Sequence, residues 1–67
     1  MAISINDIDI DSEIMVKPDF GMGNSVKATV TDIEPNGKNG RDTIGYITVG
    51  GIEKWAYMDQ VVRVIKK

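Results

Sequence analysis

Four carboxylates at alternate positions, Asp7-x-Asp9-x-Asp11-x-Glu13, are the first residues whose spacing suggests chemistry. Closely spaced carboxylates suit a hard cation such as calcium. A helix–loop–helix calcium site also needs a sharp-turn glycine after the third acidic residue and a glutamate at its twelfth position. Ser12 stands in place of that glycine, and the intervening Ile8 and Ile10 are β-branched. The stretch therefore reads as a solvated acidic run, and no metal site is expected. Lined along one face of an extended segment, the same carboxylates would imitate a phosphate backbone, so an acidic decoy of nucleic acid is one functional reading.

Catalysis finds few tools. The chain has no histidine and no cysteine, which removes the commonest general base, the commonest metal ligand and any thiolate. Ser4, Ser12 and Ser25 lie in no nucleophile motif. Gly21-Met22-Gly23 lacks the third glycine and following helix of a dinucleotide loop, and Gly37-Lys38-Asn39-Gly40 lacks the Gly-Lys-Ser/Thr ending of a phosphate loop. No catalytic residue and no cofactor are expected, and the chain is read as a non-enzyme.

The aromatic residues are Phe20, Tyr46, Trp55 and Tyr57. Trp55 and Tyr57 alternate with Glu53 and share one face of an extended segment. That face is either core or semi-buried, or an exposed stacking or peptide platform. The expected protein-contact surface combines Phe20, Trp55 and Tyr57 with the loop from Lys38 to Arg41. A nucleic-acid surface would instead use Lys27, Lys38, Arg41, Lys54 and Arg63, with bases stacked on the aromatic strand. A sequence pI near 4.8 weighs against it, because a basic stripe is the usual footprint of such proteins.

These residues need strands to hold them. Residues 3–16 alternate apolar and polar with a slip at Asn6-Asp7, where a turn or bulge is expected. Glu13 to Lys17 reads as a strand stopped by Pro18. Lys17 to Ser25 reads as a loop anchored by Phe20. Val26, Ala28 and Val30 alternate with Lys27, Thr29 and Thr31, the pattern of a half-buried strand. Ile33 breaks that phase and predicts a bulge or bend near Asp32. Glu34 to Asp42 holds Pro35 and two Asn-Gly pairs, which predicts an exposed hairpin loop. Thr43 to Val49 forms the next strand, with Gly45 marking a bend or a close backbone approach. Gly50-Gly51 closes a hairpin into Ile52 to Met58. Met58-Asp59-Gln60 reads as a single helical turn, and Val61 to Lys66 as the last strand.

The expected fold is all-β: a small barrel of about five short antiparallel strands with one helical turn before the last. Its order of elements resembles the SH3-like small barrel, with the Tudor-type branch closest. The resemblance rests on Val26–Ile33, Ile44–Gly51 and Tyr57–Val64 and covers about residues 12–66. Residues 1–11 stand outside it as an acidic N-terminal arm or edge strand, leaving 12–67 as the barrel domain. A Tudor-type methyl-lysine pocket needs three or four clustered aromatics, and an SH3 proline groove needs parallel aromatic ridges. This chain has too few aromatics for either ligand to carry over.

Sixty-seven residues make one domain, and a chain of this length buries only about 60% of its unfolded surface. Residues 1–20 carry a net −4 and residues 21–67 a net +2. No apolar run reaches the ~18 residues of a membrane span, and no secretory signal pattern opens the chain, so a cytoplasmic setting is expected. The function expected first is binding a protein partner, a second copy of the chain included, in an accessory or regulatory role.

Overall fold

The computed structural model describes residues 3–67, apart from the Phe20 side chain. Five strands form one antiparallel sheet: β1 (Glu13–Val16), β2 (Val26–Lys38), β3 (Arg41–Thr48), β4 (Glu53–Tyr57) and β5 (Val61–Lys66), in the order β4-β3-β2-β1-β5. The helical content of the described residues is three 3-10 turns, Ile5–Asp7, Asp19–Gly21 and Met58–Gln60. The chain is all-β, and its small curled sheet is compatible with a barrel-like fold.

The alternation of β2 and β3 sets the core. Ala28 and Val30 point inward from β2, Ile44 and Tyr46 from β3, and Ile14 and Val16 from β1. Ala56, Met58 and Val61 complete this layer with Ile8. The sheet bends where β2 carries an extra residue. Val30 pairs with Tyr46 and Asp32 with Gly45, so Thr31 is the bulged position. The bend expected near Asp32 is therefore present, and it has a steric consequence. A Cβ on Gly45 would stand 3.2 Å from both the Asp32 Cβ and the Thr31 Oγ1, closer than most real contacts of that kind, so glycine fits this approach.

The N-terminal segment takes a course the alternation did not predict. Ser4 Oγ accepts from the Asn6 N–H at 3.2 Å, and Asp7 Oδ2 accepts from the Ser4 N–H at 2.9 Å, a reciprocal cap on the first 3-10 turn. Ile8 then plugs the core at 2% exposure, whereas Ile10 is 51% exposed. The phase breaks again because Asp11 adopts a left-handed φ of 75°, which Asp tolerates better than most residues. The Asp11 N–H donates to the Val30 carbonyl, and the Val30 N–H donates to that of Ser12. The expected single row of carboxylates on one extended face does not form, because turns at both ends interrupt it.

The two Asn-Gly pairs play different parts. Asn39-Gly40 forms the tip of the β2–β3 hairpin, with positive φ at both residues, 52° and 69°, as a tight two-residue reversal requires. Asn36-Gly37 lies inside β2, in an irregularity between the pairs Glu34–Thr43 and Lys38–Arg41. The loop expected over Glu34 to Asp42 thus lies mostly within the strands of the β2–β3 hairpin, paired at Glu34–Thr43 and Lys38–Arg41. At the next turn, Gly51 has a φ of 86° and its N–H donates to the Thr48 carbonyl.

Candidate functional site

The second hairpin places Trp55 and Tyr57 on the outer face of β4. Thr43 pairs with Tyr57, Ile44 with Ala56 and Gly45 with Trp55. Ile44 and Ala56 face the core, so alternation turns their neighbours outward. Trp55 is 42% exposed and Tyr57 half-buried. Their rings meet edge-to-face, with centroids 5.2 Å apart and planes at 84°. The strand is thus mixed: Trp55 is exposed, while Tyr57 is half-buried. Among the aromatic side chains described, the buried one is Tyr46 on β3, which composition alone did not single out.

The β2–β3 hairpin tip brings its cations to the same rings. Lys38 Nζ stands 4.8 Å from the centre of the Trp55 ring, and Arg41 Cζ stands 3.9 Å from that of Tyr57. A cation over an aromatic face is attracted by the ring quadrupole. Asn39 Nδ2 donates to the Tyr57 hydroxyl at 2.8 Å, and the Arg41 guanidinium pairs with Asp59 of the last 3-10 turn. The structure therefore gathers Lys38, Arg41, Trp55 and Tyr57 into one ridge. The side chain of Phe20, the remaining expected contact, lies outside the described residues.

A hollow opens on each side of the ridge. One, of about 300 Å³, is bordered by Asp19, Tyr46, Glu53, Lys54, Trp55 and Gln60. The other, of about 370 Å³, runs past Ile3, Asn36, Arg41, Tyr57 and Asp59. No protein-family model matches this sequence, and no curated protein or solved structure is significantly similar to it.

The alternative cation set is divided. Lys38 and Arg41 sit at the hairpin tip, while Lys27 and Arg63 flank Met15 across β2, β1 and β5. Lys27 pairs with Glu13 at 3.4 Å and Lys54 with Asp19 at 3.8 Å. With the Arg41–Asp59 pair, three of the five cations named for phosphate contact have a carboxylate partner. Among the described residues, no three His, Cys, Asp or Glu side chains converge as a metal site, and no helix is long and apolar enough to cross a membrane.

Gln60, which no motif marked, organises the floor of the site. It is 7% exposed. Its Oε1 accepts from the Tyr57 N–H at 3.0 Å, and its Nε2 donates to the Lys17 carbonyl at 2.9 Å. The Lys17 N–H in turn donates to the Gln60 carbonyl. One side chain thus joins the end of β1 to the turn that follows the aromatic strand. The sequence did not single it out, since the stretch Met58 to Val64 also holds Asp59 and Arg63.

Proposed function

We propose that the chain is a small SH3-like barrel acting as a non-enzymatic interaction module, with the Trp55–Tyr57 ridge as its protein-contact surface. The strand order β4-β3-β2-β1-β5, with a 3-10 turn before the last strand, supports the fold reading. The single observation that carries the function is the Trp55–Tyr57 pair, exposed at Trp55 and half-buried at Tyr57, backed by Lys38 and Arg41 and flanked by two open hollows. Aromatic and arginine side chains are enriched where interfaces concentrate binding energy. A ridge between two hollows suits an extended segment that sets one side chain on each side.

Nucleic acid is the weaker reading. Phosphate contact by Lys or Arg displaces counterions from the nucleic acid, and Lys27, Arg41 and Lys54 each stand beside a carboxylate that repels phosphate. Lys38 and Arg41 each stand against one of the two rings, which narrows the room for base stacking. The test is selection from a displayed random-peptide library. The reading expects peptides that bind at physiological and high salt and lose binding to Trp55→Ala. If no selected peptide distinguishes wild type from that variant, the reading fails.

A further inference from the structure

Tyr46 is 1% exposed, yet its hydroxyl has no hydrogen-bond partner among the described residues. A buried polar group left unpaired costs stability, and each native case calls for an explanation. Tyr46 borders the hollow that it shares with Asp19, Lys54, Trp55 and Gln60. Gln60 is spent at both ends on Tyr57 and Lys17 and cannot serve the phenol. Burial, and then the nearby Asp19 carboxylate, raise the Tyr46 pKa above its ordinary value, so at neutral pH the hydroxyl is an intact donor.

The other polar groups of the hollow complete a pattern. Asp19 supplies an acceptor, and Lys54 stands 3.8 Å away to balance its charge. Glu53 adds a second carboxylate at the border, and Trp55 an apolar wall. The Asp19 and Lys54 side chains are 73% and 40% exposed, and such pairs hold weakly. An incoming group can therefore part them within the hollow that Tyr46 borders.

We propose that this hollow takes a neutral primary carboxamide, the side-chain end of an asparagine or glutamine, whose carbonyl accepts from Tyr46 and whose NH2 group donates to Asp19. The proposal rests on the ridge being a protein-contact surface, with the carboxamide carried by the bound segment. Other head groups fit less well. A carboxylate meets Asp19 and Glu53 and offers no donor. An ammonium cannot accept the tyrosine proton and competes with Lys54. An ester accepts but cannot donate.

The test is an amide-resolved NMR titration with propionamide, with propionate and methyl propionate as matched probes. Saturable shifts at Asp19, Lys54 and Gln60 are expected with propionamide alone. Tyr46→Phe keeps the ring and should weaken binding about threefold to tenfold, the range of one neutral hydrogen bond. Absence of saturable shifts, equal binding of either control probe, or full affinity in Tyr46→Phe would overturn the proposal. Loss of propionamide binding alongside intact Trp55-dependent peptide binding would remove the carboxamide chemistry alone. Failure of Trp55-dependent peptide binding would instead strike the ridge reading.

Discussion

The guanidinium of Arg41 lies over the Tyr57 ring, 3.9 Å from its centre, while pairing with Asp59 on the other side of the site. One side chain at the start of β3 thus ties the end of β4 to the final 3-10 turn. Cation–π contact at an exposed site and a surface ion pair are each worth about 1 kcal/mol or less. Arg41→Ala should therefore lower stability by about 1 kcal/mol in urea unfolding. Arg41→Lys should recover only part of this, because an ammonium lacks the planar fork that serves both partners.

Trp55→Ala should leave the domain folded. Trp55 is 42% exposed, whereas Ile14 is fully buried. Truncating the tryptophan should cost less than the roughly 3–5 kcal/mol typical of a core aromatic. Ile14→Ala should cost about 2–5 kcal/mol, enough to threaten a domain this small. Circular dichroism melts of the two variants check the contrast. Collapse of Trp55→Ala alongside a stable Ile14→Ala would reverse the assignment of core and surface.

Two glycines of the same hairpin should fail for different reasons. At Gly40 an added Cβ meets nothing within 4 Å, but φ is +69°, so Gly40→Ala should cost about 1–2 kcal/mol through left-handed strain alone. At Gly37 the Cβ would stand 2.3 Å from the Thr43 Oγ1 and 2.9 Å from the Glu34 Cβ. Gly37→Ala should be destabilising because the hairpin must shift. The second change Thr43→Ala should relieve part of the clash, whereas it should do nothing for Gly40→Ala. A double-mutant cycle on the melting data reads the difference.

Tyr46→Phe should stabilise the domain at neutral pH by about 1 kcal/mol, since it removes an unpaired buried hydroxyl. The wild type should also weaken in alkali. The phenol pKa is raised in the fold above its ordinary 10.0, so the unfolded chain gives up this proton first. The stabilising difference is fully present below about pH 10 and is lost as pH rises through the folded value. Urea midpoints measured from pH 7 to 11 should fall less steeply in Tyr46→Phe, with the lysines common to both proteins.

Much of this fold is written locally. Val26 to Val30 alternate as a strand must, and Ala28 and Val30 are buried. Ile33 out of phase marked the bulge at Thr31, and Gly50-Gly51 and Met58–Gln60 marked the turns around β4. The rest depended on contacts far along the chain. Ile10 keeps the apolar phase yet faces water, because the Asp11 N–H turns to the Val30 carbonyl, nineteen residues on. The two Asn-Gly pairs are alike as dipeptides. The Asn36 N–H bonded to Asp42 Oδ1 across the hairpin helps fix the first as an irregularity and the second as the tip.

The ridge was legible only as a set of residues. Alternation grouped Glu53, Trp55 and Tyr57, but it could not say which side of β4 faces the core. Lys54 shares the phase of buried Ala56 and blurred that choice. The unpaired Tyr46 hydroxyl and the double bond-making of Gln60 had no sequence signal beyond residue type. Both depend on where β3 and the last 3-10 turn meet.

The ridge should bind a protein segment and not nucleic acid. The most direct measurement is an amide-resolved NMR titration of the domain with a library-selected peptide and, in parallel, with short single- and double-stranded oligonucleotides. The predicted result is that the peptide moves the amides of Lys38–Arg41 and Trp55–Tyr57 at low and high salt alike, while the oligonucleotides leave them in place. Oligonucleotide shifts at those same amides, reversed by added salt, with no response to the peptide, would contradict it.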